Sequence, residues 1–227
     1  MKTEMKTARL LSATLLLLPL ASLSLGAAEM TRYDARSGSK MRIEGTSVVH
    51  DWRAESPLIL GFLEVGPGFP TEPGQTVTPG KIEARGEARV MVNTLLSKKE
   101  NGDPYESKMD DKMHDMLKMD TYPMIVFRLT ELTLKEAPKS KDDPYIFDSK
   151  GELAVAGVTN QLSMVVSIFP LADKKLKISG TAPLKMTDFK IEPATLILPA
   201  FKTSEDVKIK FEWILGQKKP AAPAASK

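Results

Sequence analysis

A chain of 227 residues without a single cysteine has no disulfide and no cysteine-linked lipid anchor, so core packing alone must hold it together. Its 32 basic and 29 acidic residues are dispersed, and the formal charge of +3 falls to +1 once Lys2, Glu4, Lys6 and Arg9 are set aside with the N-terminal segment. No basic run is interleaved with aromatics, which argues against a nucleic-acid groove and against nucleic acid as a partner.

The first 28 residues read as a signal peptide. Lys2, Lys6 and Arg9 form a basic start, Leu10 to Leu25 an apolar stretch interrupted by Pro19, and Gly26, Ala27 and Ala28 a small-residue cleavage site before Glu29. An apolar stretch of about sixteen residues falls short of the ~20 that span a bilayer. The segment therefore predicts export with cleavage, to the periplasm or beyond it. Residues 29–216 then form one domain, because about 200 residues of continuous strand pattern suit a single all-β unit. Residues 217–227, QKKPAAPAASK, read as a low-complexity disordered tail.

Period-2 alternation dominates the domain. Met41, Ile43 and Gly45 alternate with Arg42, Glu44 and Thr46. After a Pro/Gly loop with little intrinsic structure, Gly66 to Gly80, the residues Ile82, Ala84, Gly86, Ala88, Val90 and Val92 alternate with charged neighbours. Around Ser107–Met119 the period changes. Met109, Met113, Met116 and Leu117 form one apolar helical stripe, and Ser107 with Asp110 reads as a capping box. Pro123 then forbids helix and pushes Tyr122 to extended geometry. Ile125, Phe127 and Leu129 resume strand alternation, followed by a charged connection from Lys135 to Pro144. Strands are expected at Glu152–Ala156 and Leu162–Phe169, joined by a tight turn at Gly157. Leu176 to Lys185 and Val207 to Trp213 complete the series.

One apolar and one charged face is the pattern of antiparallel sheet with a solvated side. The pattern predicts an all-β fold, an up-and-down antiparallel β-barrel of about eight strands with one short inserted α-helix. Small residues on two apolar faces (Ala84, Gly86, Ala88; Gly180, Ala182) leave two readings open. Either neighbouring side chains fill the gaps, or the space serves something that is not protein.

Four segments in order resemble the YceI-like family of lipid- and polyisoprenoid-binding proteins. They are GTSxxHDW at Gly45–Trp52, MHxxLKxxxYPxIxF at Met113–Phe127, GVT at Gly157–Thr159, and TDFKIEP followed by EDVKIKFEW between Met186 and Trp213. The family usually has glycine where this chain has Lys190. The resemblance implies a lipocalin-like barrel whose lumen receives an isoprenoid or fatty chain, with no cofactor besides that ligand. Inward residues expected to line it are Ile82, Val90, Ile125, Phe127, Leu176, Ile178, Val207, Ile209 and Phe211. Met113 and Met116, with Met119 and Met124, would stand near the mouth as adaptable lining or as ordinary helix packing.

The two histidines fall in these motifs. His50 is expected to orient a turn, and His114 to lie on the helix surface or reach a ligand headgroup. Asp110 and His114 share a helix face, yet there is no HxH or HxxxH spacing, so no metal site is expected. No enzymatic activity is expected either. The chain has no cysteine nucleophile and no GxSxG, and the adjacent pairs Asp110–Asp111 and Asp142–Asp143 point their side chains apart. The leading expectation is an exported protein that sequesters or transports a long-chain amphiphile, with transient membrane contact and a homodimer left open. The rival is an interaction module of the cell envelope with a filled barrel, meeting a partner near Trp52 or the Gly66–Gly80 loop. A third reading has His50 and His114 converging on one catalytic pocket.

Overall fold

The computed structural model describes residues 29–47, 51–105, 107–193 and 203–218. The expected signal peptide, His50 and the tail from residue 219 lie outside the described residues.

The alternating segments form strands β1 (Thr31–Ala35), β2 (Lys40–Ser47), β3 (Trp52–Ser56), β4 (Leu60–Val65), β5 (Gly80–Ile82), β6 (Ala84–Met91) and β7 (Leu96–Lys98). Helix α1 (Ser107–Met116) follows, then the long strands β8 (Met124–Glu136), β9 (Tyr145–Val155), β10 (Val158–Leu171), β11 (Lys175–Lys185) and β12 (Thr203–Gln217). Neighbours pair antiparallel in the order β1-β4-β6-β8-β9-β10-β11-β12, and β12 returns to β1 through Tyr33↔Gln217 and Ala35↔Leu215. The sheet closes into a barrel of eight staves.

More strands than staves appear because three staves are broken. β1 and β2 both lie against β12, split at Arg36–Ser39, where the Ser39 hydroxyl donates to Arg36 O and accepts the Ile214 N–H. β3 and β4 break in the same way, as do β5 and β6 along β8. One end of the barrel therefore carries a flap of β2, β3 and β7, against which α1 rests.

Closure puts one face of every stave inside. On β9 the inward set is Tyr145, Phe147, Ser149, Gly151, Leu153 and Val155, all buried. Outside, charges pair across strands. Glu64 takes Arg85 at 2.5 Å and Arg32 at 2.9 Å, and Glu131 takes Lys150 at 2.7 Å and Lys81 at 3.1 Å. Hydrogen bonds from Arg85 and Lys150 respectively hold these two carboxyls below their ordinary pKa. Such solvated pairs stabilise little and serve mainly to keep the outer face polar.

Two of the motif segments owe their residue types to ring contacts. A Cβ on Gly45 would sit 2.3 Å from the Trp52 ring, so the glycine of GT and the tryptophan of HDW require each other. Gly157 sits at φ +84° in the β9–β10 turn, and a Cβ there would lie 2.4 Å from Tyr122. The YP and GVT segments thus meet in space.

Two expectations change, and Asp110 gains a role the sequence does not signal. The helix stops at Met116 rather than Met119, because Lys118 takes left-handed geometry (φ 54°) and its N–H turns to Asp115 O. The Asp110 carboxylate accepts the Ser97 N–H at 2.6 Å and ties α1 to β7. The tail starts later than expected, since β12 includes Gln217 and the Lys218 N–H bonds Arg32 O.

Candidate functional site

The two ends of the barrel are built differently. At the end where β9 starts and β12 finishes, Tyr33, Phe147, Leu134, Leu176 and Leu215 are at most 2% exposed and fill the cross-section. The loop after β4 folds under them. Phe69 stacks on Phe147 with ring centroids 5.9 Å apart, and Pro70 is fully buried beside it. The Tyr145 hydroxyl donates to the carbonyls of Glu72 (3.1 Å) and Gln75 (2.7 Å), latching the loop. Burial pushes the phenols of Tyr33 and Tyr145 above their ordinary pKa, which keeps them neutral donors. Gly66–Gly80 is therefore a floor, although its sequence reads as unstructured. Phe69 was the one residue that could have signalled it.

Above the floor the lumen is hollow. A cavity of about 600 Å³ runs toward the other end, within the ~300–1,000 Å³ range of small-molecule sites. Its wall is apolar from stave to stave: Ile43, Leu63, Ala88, Val90, Ile125, Phe127, Leu129, Leu153, Met164, Val166, Ile178, Ile209 and Phe211 all border it. Part of the small-residue space is filled by rings. A Cβ on Gly180 would lie 2.8 Å from Phe211, and one on Gly151 would lie 2.6 Å from Phe127. A Cβ on Gly86 would meet the Phe62 carbonyl oxygen at 2.8 Å and Leu63 at 3.2 Å. Ala88, by contrast, borders the cavity. Both readings of the small residues hold, on different staves.

The mouth is formed by α1 and by the turn Met186–Phe189. Met109, Met113 and Met116 reach the cavity from the helix, Leu117 from the turn after it, and Met186, Phe189 and Ile191 from the other side. Basic residues bordering it, Arg53, Lys108, Lys112 and Lys185, come from this end. Glu87 also borders it, but its carboxylate accepts from Arg128 on the outer wall at 3.0 Å. Four large apolar side chains near the mouth are exposed: Leu96, Met109, Tyr122 and Met124.

Of the residues picked from sequence, Val90, Ile125, Phe127, Ile178, Val207, Ile209, Phe211, Met113 and Met116 border this cavity. Ile82 and Leu176 do not. Both are buried at the floor, because alternation gives the inward face of a stave but not the height at which the lumen closes. His114 also stands away from the cavity. Its Nε2 donates to Leu95 O at 2.9 Å and, with Asp110, pins the helix to the segment leading into β7.

Sequence reasoning missed the walls given by β9 and β10, along with Ser149, Trp52 and Trp213. Alternation of Phe147, Ser149, Gly151, Leu153 and Val155 was the available signal, and its glycine and serine masked it.

An antiparallel barrel of eight staves, packed at one end and hollow and apolar above, is a lipocalin-like fold with a ligand-sized lumen. The chain belongs to the YceI-like domain family, whose model matches residues 63–215. β1 to β4 start before that match and supply the staves that close the barrel. Among solved structures, BcnA of Burkholderia cenocepacia is similar with a TM-score of 0.56 at 14% identity, over 78% of this chain and 95% of that one. A polyisoprenoid binding domain from Saccharophagus degradans is similar with a TM-score of 0.57 at 12% identity, over 82% of this chain and 98% of that one. At such identities the likeness is one of fold. No curated protein sequence matches the chain.

Proposed function

We propose that this protein is an exported carrier that holds one long-chain isoprenoid or other amphiphile non-covalently in the barrel lumen, for sequestration or transfer. The observation that carries this reading is the apolar cavity of about 600 Å³ above a packed floor. Each buried methylene contributes ~0.8 kcal/mol, so a five-carbon isoprene unit brings on the order of 4 kcal/mol of gross transfer free energy. Micromolar binding needs about 8 kcal/mol. A few units reach it after the cost of immobilising the ligand, and no reacting group is required.

Family membership and a fold neighbour described as a polyisoprenoid binding domain support the ligand class. The basic start, apolar stretch and small-residue site of residues 1–28 support export. Exchange with a membrane would use the mouth, where the exposed methionines and Tyr122 stand.

The test is native mass spectrometry of the protein purified from an exporting bacterial host, followed by solvent extraction. The expected result is a stoichiometric adduct of a few hundred daltons that solvent releases as a lipid. A mass that stays ligand-free in the presence of quinones, fatty acids and polyprenyl lipids would overturn the carrier reading and favour a barrel acting through its surface.

A further inference from the structure

The basic side chains that border the cavity at its mouth fall into two pairs. Arg53 donates to the carbonyls of Lys99 (2.6 Å) and Glu100 (2.9 Å), and Lys185 is paired with Glu205 and, at 3.8 Å, with Asp206. Lys108 and Lys112 also border the cavity; both are exposed, and neither has an acidic partner among the described residues.

Helix geometry puts these two lysines together. Residues at i and i+4 have Cβ atoms ~5–6 Å apart, so two lysine stems reach a common point. At ~100° per residue, the cavity-bordering side chains of α1 span an arc of about 140°, with Lys108 and Lys112 on one flank and Met116, Met109 and Met113 on the other. Asp110 and His114 lie outside that arc and tie the helix to Ser97 and Leu95. Asp111 and Asp115 do not border the cavity. Glu87 does, but its carboxylate is taken up by Arg128 on the outer wall.

Charge therefore orders the ligand. Below the rim the wall runs through Ile125, Phe127, Ile178, Ile209 and Phe211, where an anion would lose its hydration without a countercharge. At the rim an anion keeps water and meets two ammonium groups. A phosphate monoester carries about −1.5 to −2 charges at neutral pH and matches both, whereas a neutral alcohol or quinone gains nothing from either.

We propose that Lys108 and Lys112 form a subsite for the phosphate headgroup of the carried amphiphile, whose tail descends past the methionines into the lumen. This rests on the reading of the lumen as a lipid site and narrows it, from any long-chain amphiphile to an anionic one.

Farnesyl phosphate and farnesol share one tail and differ in the headgroup. Their affinities are read by displacement of N-phenyl-1-naphthylamine, an uncharged dye, from the delipidated full chain at neutral pH and low salt. The phosphate should bind about tenfold more tightly than the alcohol, and added sodium chloride should shrink that preference. Lys108→Gln combined with Lys112→Gln keeps much of each stem and should bring the ratio close to unity. Lys139→Gln combined with Lys141→Gln removes the same charge from the β8–β9 loop at the floor end and should leave the ratio intact. Inorganic phosphate at the concentration of the lipid should not alter it. Equal affinity for the two probes, or a preference that both double variants reduce alike, would overturn the subsite and leave the carrier reading standing. Loss of the preference in inorganic phosphate would overturn the headgroup assignment in favour of a site for the free anion. Displacement by neither probe would overturn the subsite and the carrier reading together.

Discussion

The floor and the mouth of this barrel are made from the same staves and reach opposite ends of the exposure scale. At the floor, Tyr145, Phe147, Leu176 and Leu215 are sealed by one another and by a loop latched through two hydrogen bonds. At the mouth, Leu96, Met109, Tyr122 and Met124 stay exposed, and the helix is held by two polar ties, from Asp110 and from His114. The difference teaches where stability and function separate. Apolar side chains that satisfy one another fix the fold, and those left facing a void or solvent are available to a ligand.

Filling the void is the change with the largest expected effect on binding. Ala88→Phe places a ring in the open part of the lumen, at an inward position bordering the cavity. It should abolish lipid co-purification in native mass spectra and leave the urea midpoint unchanged or raised. Retained lipid would place the ligand elsewhere. Phe69→Ala attacks the other end, removing the ring stacked on Phe147; it should cost about 3–5 kcal/mol in urea unfolding. A loss under about 1 kcal/mol would mean that the loop is dispensable to the floor.

Tyr145→Phe keeps the ring and removes the latch. Losing its bonds to Glu72 and Gln75 should cost about 1–3 kcal/mol and speed hydrogen exchange across Thr71–Gln75, with the mouth unaffected. Lys190→Gly works the other way. Lys190 sits at φ 56°, a geometry that costs a side-chain-bearing residue about 1–2 kcal/mol and glycine none, so the variant should gain up to about 1 kcal/mol in the same unfolding assay. The smallest effect is that of the outer carboxylates. Glu64 and Glu131 have pKa values lowered on folding, so each contributes stability above its unfolded pKa near 4.5 that disappears as pH falls through its folded value. Acid titration of stability should show a loss below that range. The loss should be smaller in Glu64→Gln, and an unchanged acid profile would show the pair with Arg85 to be inert.

Much of the barrel was legible because alternation is a local property. Val90, Ile125, Phe127, Ile178, Ile209 and Phe211 were picked by period alone, and closure puts them on the hollow. Ile82 and Leu176 have the same period and lie at the floor instead, since depth along a stave is set by register and by the loop beneath. Asp110 was legible only as a residue of the first helical turn, and its bond to Ser97 in a neighbouring element has no local signal. Ser149 sat in a run that reads as weak strand, and its place beside the cavity depends on the registers of β9 with its neighbours.

By itself the sequence determined the class of fold, the site of the helix and which face of each long strand is inside, because side-chain direction alternates residue by residue along extended backbone. Only the tertiary structure decided that the Gly66–Gly80 loop plugs one end, that His114 serves the scaffold, and at what depth each inward residue stands. Those facts join residues far apart in the chain, and no local period encodes the shear that brings them level.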